Sequence, residues 1–273
     1  TGAVASTSND KKGCRRTLMQ LLDWQEWASH LRTFISLLRC RTVVLTLLQG
    51  APGCIPWGIV NTYLNDYLSE DRGMSVEGAT LTILVFGFGN FLGMLLGGMG
   101  GNFLYKMDPR YPNLLSGVAA ILGCVPMWVL INTVDAGSPV LYTISTSVLA
   151  GVGSGVTGPI VKATLQNTTL PNTRGQAFAL FNTFDDFGRG LGPVFVAMMI
   201  TSMGGRAPAF NVGMIGWILC GSFNMAMYFT VKNDENMIQT TLSEKIQRQN
   251  KEGKIRACFD ENQGTGPTQD TSM

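Results

Sequence analysis

Long apolar blocks alternate with short polar stretches along most of the chain. Five blocks are free of charged residues: Thr42–Leu64, Thr80–Phe103, Leu114–Ile131, Val140–Val161 and Val212–Val231. A sixth, Ala177–Thr201, is interrupted near its middle by Asp185, Asp186 and Arg189. A helix of about 20 residues spans a hydrocarbon core about 30 Å thick. The pattern predicts an all-α membrane protein with six transmembrane helices.

The composition agrees with this class. Of the 273 residues, 45% are hydrophobic and only 14% are charged, whereas about 25% are charged in an average soluble domain. The 33 glycines are also typical of membrane helices. A soluble helical protein would show polar faces on most of its helices, and these blocks have none.

The blocks divide the chain into three predicted regions. Residues 1–41 begin polar and basic and continue as an amphipathic pattern. That pattern fits either a helix on the membrane surface or a plain lead-in helix to the first span. Residues 42–231 form the six-helix domain, and residues 232–273 form a polar tail that we expect to be mobile. Because the chain starts at Thr1 and not at Met, it is expected to be a fragment or a processed product.

Basic residues predict the orientation. If the spans alternate in direction, all basic residues but Arg72, Arg206 and Arg189 fall on the side of the two termini. The positive-inside bias then places both termini in the cytosol. The sequon Asn167-Thr168-Thr169 lies on that side too, so we expect it to carry no glycan.

The first span is rich in helix-breaking residues. Pro52 and Pro56 each remove a backbone hydrogen bond, so this helix should kink or break near its middle. Irregular backbone at that depth is tolerated against protein or a water-filled cavity, although a simple packing kink is the alternative. The predicted cavity or gate residues are Gln49, Pro52, Pro56, Asn61, Asn65, Asp66 and, from the second span, Asn90.

A glycine stripe runs along the second span. Gly89, Gly93, Gly97 and Gly101 recur every four residues and so share one face of a helix. Small residues at this spacing let another helix approach to backbone contact. The stripe predicts a helix-packing surface.

The interrupted sixth block poses the sharpest question. Arg189 follows Asp185 by four residues and Asp186 by three, so it can pair with either. A charge at mid-membrane costs about 2.5–3.5 kcal/mol, and each large apolar residue returns only about 0.3–0.6 kcal/mol. These side chains should therefore face other helices or a wet cavity. The spare carboxylate can be protonated, meet a cation, or pair with a base on another helix.

A structural reading of the same charges stays open. They would then form a cluster at the inner membrane edge, with the true span starting near Phe187.

Several classes of site are excluded or unsupported. The six cysteines form no Cys-x-x-Cys pair, so no metal site or disulfide framework is indicated. A net charge of +2 carries no argument for nucleic-acid binding. The only histidine, His30, lies outside the spans, and no Gly-x-x-x-x-Gly-Lys-Ser/Thr loop is present. Two adjacent aspartates on one helix do not make an intramembrane aspartyl protease. We therefore expect no enzyme, no cofactor and no catalytic residue.

Six spans, cytosolic termini and a basic turn after the second span together resemble the carboxyl-terminal half of a major facilitator superfamily transporter. In that family this turn carries a Gly-x-x-x-Asp-basic-type motif. The matching stretch here is "GGMGGNFLYKMDPR", with Asn102 where the family usually has Asp. The gating-loop residues that the resemblance implies are Gly98, Gly101, Asn102, Lys106 and Arg110.

Two further features extend the resemblance. "GRGLGP", with Gly188, Gly192 and Pro193, looks like the family's Gly-x-x-x-Gly-Pro element. The family's halves contain three-plus-three inverted repeats, and a shift of 97 residues overlays Gly78 on Gly175 and Gly93 on Gly190. The first span with its two prolines is similar to the first span of this half in Spinster-like lysolipid and sphingolipid carriers. So is the block Ala177–Thr201 with its two aspartates, which is the fifth span in chain order.

The resemblance implies a secondary transporter that moves a small organic solute by alternating access. Asp185, Asp186 and Arg189 would bind substrate or couple its movement to protons, and an N-terminal six-helix half would complete the fold. The alternative is a receptor-like or scaffolding membrane protein that transports nothing, which the Asn102 departure favours.

Overall fold

The computed structural model describes residues 24–263 as a bundle of helices. Their bounds are α1 Trp24–Leu37, α2 Arg41–Asp71, α3 Val76–Met107, α4 Tyr111–Thr133, α5 Val140–Asn167, α6 Arg174–Met203, α7 Arg206–Met227 and α8 Val231–Gln263. Helix α5 is interrupted at Val156 and α7 at Met214. The described residues contain no β-strand.

Five of these helices, α2 to α5 and α7, are long and apolar enough to cross a membrane. Helix α6 has 30 residues, or about 45 Å at 1.5 Å per residue, but its charges keep it out of that group. Five predicted spans are therefore present, and the sixth stays a prediction.

The helices extend beyond most of the apolar blocks that predicted them. The polar ends of α2 and α3 continue the helical hydrogen bonding past Leu64 and Phe103. The last block is an exception, because the chain turns at residues 228–230 and α8 starts at Val231. Apolar character therefore located each helix but not its ends, since helix ends are set by capping and turns.

The two terminal regions are only partly described. Residues 1–23 of the predicted linker and 264–273 of the predicted tail lie outside the described residues. The tail was expected to be a mobile segment, but residues 231–263 form the helix α8. Its first turn is tied to the bundle by Asp234, whose carboxylate accepts bonds from the backbone N–H and the hydroxyl of Thr42 at 2.9 and 2.7 Å. Beyond that turn, mobility remains a prediction.

The prolines of α2 do not break the helix. It continues through Pro52 and Pro56 and then widens into π-helical turns at Ile59–Tyr63 and Tyr67–Asp71. Since Pro56 has no N–H, the carbonyl of Pro52 lacks its usual partner within the helix. Gly216 of α7 packs directly against that carbonyl, where a Cβ would overlap the oxygen. The predicted kink is thus a change of helical register, backed by a close neighbour.

The glycine stripe of α3 lies against α5. A Cβ on Gly89, Gly93 or Gly97 would overlap the carbonyl oxygens of Val148, Val152 and Val156 respectively. Gly151 and Gly155 of α5 make the matching contacts from the partner helix, where a Cβ would overlap the carbonyls of Phe86 and Asn90. The two backbones therefore touch along about three turns, and every larger side chain is excluded there.

A second close pair joins α2 and α6. A Cβ on Gly188 would lie 2.7 Å from the Cα of Ala51, and one on Gly58 would lie 3.2 Å from Gly192 and Pro193. The hydroxyl of Tyr63 donates to the carbonyl of Pro193 at 2.9 Å. The "GRGLGP" stretch is therefore a packing surface for the proline-containing helix.

Substitution of Gly93 tests the α3–α5 contact. Gly93→Ala should lower the free energy of unfolding by about 1–3 kcal/mol, because the new methyl group meets backbone that cannot move aside. Gly87→Ala is the matched control on the same helix, since a Cβ there meets nothing within 4 Å. Thermal unfolding in detergent measures both variants. Equal stability of the two would show that the helices separate at little cost.

Candidate functional site

The three central charges of α6, Asp185, Asp186 and Arg189, form one ion-pair group on the surface of that helix. An Nη atom of Arg189 lies 3.0 Å from Oδ2 of Asp185, and the other lies 3.4 Å from Oδ1 of Asp186. The side chains of Asp185 and Asp186 are 24% and 70% exposed, so the two carboxylates have different surroundings. Asp185 turns toward the other helices, whereas Asp186 is open.

Helix α2 is shaped to receive Asp185. A Cβ on Gly50 would lie 3.2 Å from Oδ1 of Asp185, so any larger residue would crowd the carboxylate. One turn further along α2, the thiol of Cys54 donates to the same oxygen at 3.4 Å. The glycine and the thiol together give the carboxylate space and a hydrogen-bond donor.

A cavity of about 230 Å³ opens beside this pair. Three charged side chains line it: Asp185 and Arg189 from α6, and Lys162 from α5. Aromatic residues also line it, namely Trp57, Phe181 and Trp217. The rings of Trp57 and Trp217 meet edge to face with centroids 6.2 Å apart. The site therefore combines ionic groups with an aromatic wall, the usual makeup of a pocket for an organic molecule.

Neutral polar groups complete the cavity wall. Gln49 accepts a bond from the thiol of Cys220 at 2.9 Å through Oε1. On another wall, Asn90 of α3 donates to the hydroxyl of Ser154 on α5 at 3.1 Å. These groups already have protein partners, so they orient the wall without carrying charge.

The site lies at the middle of its helices. Asp185 is the twelfth of the 30 residues of α6, about 18 Å from the start of the helix. Its neighbours Gly50 and Cys54, and the lining residue Asn90, belong to central turns of the apolar helices α2 and α3. No helix starts near Phe187, so the charges are not at a helix end.

The structure brings together only part of the predicted cavity set. Gln49 and Asn90 line the cavity with Asp185 and Arg189, whereas Asp186 does not. The remaining members lie elsewhere on α2: Pro52, Pro56, Asn61, Asn65 and Asp66. Asn65 donates to the hydroxyl of Thr80 at 3.0 Å, and Asn61 and Asp66 are exposed. A gate role for these residues stays a prediction.

Comparison with known proteins identifies the family. A model of the Major Facilitator Superfamily matches residues 7–193, more than half of the chain. The chain belongs to the major facilitator superfamily. No curated protein matches it. A solved structure of a bacterial homologue of the human lysosomal transporter Spinster, inward-facing and occupied, is 18% identical with a TM-score of 0.47. The match covers 71% of this chain and 49% of that one, so the chain spans about half of its length.

Membership confirms the predicted family and the integral, multi-pass membrane character. The residues predicted for the gating loop lie in the last turns of α3, except Arg110, which lies in the turn before α4. Gly101 packs against Ile160, while Gly98, Asn102 and Lys106 are exposed. Arg110 lies over the ring of Tyr228, 5.7 Å from its centroid. Asn102 therefore makes no ion pair here, as expected for an amide.

The turn between α3 and α4 contains a carboxylate, Asp108, which sequence reasoning passed over. Its Oδ2 lies 2.8 Å from the ammonium of Lys232 on α8, and its Oδ1 accepts from the backbone N–H of Arg110 at 3.0 Å. The signal was present in "MDPR", because Asp before Pro favours a turn in which the side chain bonds the backbone. The turn is thus joined to α8 by an ion pair.

Two other residues of the site were missed. Lys162 was counted only as a loop charge, yet it continues the face of Ser154 and Gly158 at steps of four and eight residues. Cys54 was set aside because it has no paired cysteine. Its role depends on the contact between α2 and α6, which no local pattern shows.

The Asp108–Lys232 pair gives a pH prediction. The bond from Lys232 holds the pKa of Asp108 below its ordinary value of 3.8. The pair therefore stabilises the attachment of α8 at every pH above 3.8, and this contribution is lost as pH falls through the lowered pKa. Asp108 should therefore cause no change in amide exchange of residues 231–240 between pH 5 and 7, once the rates are corrected for intrinsic exchange.

Replacement of the carboxylate removes the same contribution at neutral pH. Asp108→Asn should speed exchange in residues 231–240 at pH 7. Glu244→Gln, at an exposed position further along α8, is the control and should leave exchange unchanged. Unaltered protection in Asp108→Asn would show that Asp234 and Glu235 suffice to hold α8.

Proposed function

We propose that this chain is half of a secondary transporter that moves a small organic solute by alternating access. The cavity between α2, α3, α5, α6 and α7 is its share of the substrate site. The partner half is a second six-helix unit that packs over the open side of the cavity. In this proposal the chain is the carboxyl-terminal half, as the sequence pattern indicated.

The Asp185–Arg189 pair carries the proposal. An ion pair at the middle of a membrane helix is expensive unless protein or water solvates it. Here it borders a cavity lined by polar and aromatic side chains instead of packing into a closed core. A pair kept for stability alone would be better replaced by apolar residues, so a functional role is the simpler account.

The sequence left three possibilities for the spare carboxylate: protonation, a bound cation, or a base on another helix. Lys162 is a base on another helix. It lines the same cavity from α5 and adds a second positive charge. The charged groups that line the cavity, Asp185, Arg189 and Lys162, then carry one net positive charge. A substrate with an anionic group would compete with Asp185 for Arg189, and protonation of Asp185 would release that guanidinium. Such competition can couple the movement of substrate to the movement of protons.

The pairing of helices supports a three-plus-three repeat. Helix α3 packs against α5, and α2 packs against α6 and α7, while α4 packs against α5 and α7. In such a repeat α2 corresponds to α5, α3 to α6 and α4 to α7. The α3–α5 contact then corresponds to the α6–α2 contact. The α2–α7 contact corresponds to the α5–α4 contact. The α4–α7 contact maps onto itself, so all five contacts fit this correspondence. The same correspondence supports the prediction that α6, equivalent to α3, is the sixth membrane span.

For the proposed repeat, the glycine contacts support a different register from the one that sequence overlay suggested. Gly190, the overlay partner of Gly93, meets nothing within 4 Å. Gly188 and Gly192 pack against α2 as Gly89 and Gly93 pack against α5. The equivalent glycines are therefore 99 residues apart along the chain, and not 97.

The alternative is a receptor-like or scaffolding protein of the same fold. It drew support from Asn102, which cannot form the ion pair usual in that turn. Since Asp108 supplies a carboxylate to the same turn, this observation no longer favours a loss of transport. The alternative predicts no solute flux by well-folded protein in vesicles.

Transport assays separate the two aspartates. Uptake of organic anions, cations and zwitterions would be screened in vesicles that contain the full-length protein. Asp185→Asn should lower uptake at least about tenfold, equal to about 1.4 kcal/mol, because it disrupts the charge group in the cavity. Asp186→Asn is the matched control and should change uptake less than about threefold, since its carboxylate lies outside. Equal uptake by wild type and Asp185→Asn would contradict the proposal.

Cysteine labelling tests the proposed orientation with cytosolic termini. Ala136→Cys lies in the α4–α5 turn and Gln239→Cys on α8, at opposite ends of the bundle, and both positions are exposed. A membrane-impermeant thiol reagent should label the first in intact cells and the second only after permeabilisation. The reverse pattern would invert the topology.

A further inference from the structure

A second cavity, of about 270 Å³, lies at the end of the bundle where α8 begins. It is bounded by the last turns of α3 and α5, the start of α4 and the first turn of α8. None of its lining residues belongs to the central cavity. Its volume is much larger than the space of about 10–15 Å³ that one water molecule needs.

Glu235 of α8 projects into this cavity and is only half satisfied. Its side chain is 95% buried, as the residue is 5% exposed. The hydroxyl of Tyr105 donates to Oε1. The other oxygen, Oε2, is buried and has no hydrogen-bond partner. Among the described residues, no Lys or Arg forms an ion pair with Glu235.

The missing partner is notable because the neighbouring carboxylates of this region are paired. Asp108 bonds Lys232, and Asp234 bonds Thr42 and Cys40. Burying an ionised carboxylate without a counter-charge costs several kcal/mol. A group that enters the cavity and offers a positive charge with N–H donors would remove this cost.

The cavity walls define the rest of such a ligand. Apolar surface comes from Pro109, Pro112, Ile160, Ala163 and Val231. Oxygen-bearing side chains come from Asn102, Thr164 and Asn167, and no basic residue lines the cavity. A calcium ion needs six to eight oxygens at about 2.3–2.6 Å, which a cavity of this size with one carboxylate does not supply. An ammonium group on an apolar body matches both the charge and the walls.

We propose that this cavity binds a primary ammonium group, with Glu235 as its counter-ion. The ammonium donates to Oε2 of Glu235, and its alkyl part lies against the prolines and Ile160. Because Glu235 belongs to α8 while Asn102 and Thr164 belong to α3 and α5, the bound ligand ties α8 to the bundle. The ammonium group comes either from a free alkylamine or from the head group of an ethanolamine lipid.

Thermal unfolding of the full chain, purified in an alkyl maltoside without added lipid, tests the site. The probe is n-butylammonium chloride, compared with sodium chloride and n-butanol at equal concentrations. A ligand that binds only the folded state raises the unfolding temperature in a saturable way. We expect this rise with n-butylammonium alone. An equal rise with sodium chloride or n-butanol would overturn the proposal, and this comparison needs no variant.

Two variants assign the effect to Glu235. Glu235→Gln keeps the size and the acceptor for Tyr105 but removes the charge, so the apparent affinity for n-butylammonium should fall at least about tenfold. Glu244→Gln removes an exposed charge from the same helix and should leave the affinity unchanged. Equal affinity in Glu235→Gln and wild type would show that the probe binds elsewhere.

Vesicles distinguish the two sources. If a lipid head group fills the cavity, vesicles of phosphatidylcholine with phosphatidylethanolamine should abolish the effect of n-butylammonium, and pure phosphatidylcholine should preserve it. If the ligand is a free amine, the effect persists in both. Loss of the effect in both vesicles, despite stabilisation in detergent, would overturn the site as a property of the membrane-embedded protein.

Discussion

Paired helices in this bundle approach until their backbones touch, and glycine is the only residue that fits at the contacts. Along α3 and α5 the contact involves glycines from both helices, and between α2 and α6 it involves Gly50, Gly58 and Gly188. In lipid there is little hydrophobic gain from pairing apolar helices, so close packing must supply the attraction. These two pairs fix how α2, α3, α5 and α6 lie against each other along their contacts.

The close contact of α2 with α6 also decides where the charges go. Since α2 offers Gly50 opposite Asp185, the carboxylate fits beside the helix and reaches the thiol of Cys54. The same approach leaves Arg189 at the cavity and Asp186 outside it. Two adjacent aspartates therefore have different surroundings, although the sequence presents them as equivalent. In the proposed transporter only Asp185 would meet the substrate, because it alone of the two aspartates lines the cavity.

At the end of the bundle where α8 starts, polar contacts take over from glycine packing. The first turn of α8 reaches α2 through Asp234, the α3–α4 turn through Lys232 and α3 through Glu235. A helix that joins three elements is well placed to respond to whatever separates them. A ligand at Glu235 would therefore act on the relative positions of α3, α5 and α8, far from the central cavity.

Much of the fold could be predicted from the sequence, because a membrane imposes its constraints locally. Apolar length located α2 to α5 and α7 by residue number, and the four-residue glycine spacing indicated which face of α3 would pack closely. The family followed from the order of these elements. Helix ends were less accurate, since turns and caps decide them.

Tertiary structure decided which residues belong to the site. Gln49, Asn90, Asp185 and Arg189 were candidates from their polarity in apolar blocks, but so were Asn61, Asn65 and Asp66, which lie elsewhere. Polarity shows that a residue needs a partner, whereas its rotation and depth relative to other helices decide which partner it meets. Lys162, Cys54 and Glu235 gained their roles only from helices distant in sequence. The sequence alone thus determined the helices and their need for close, charge-compatible neighbours, and packing decided which neighbours met.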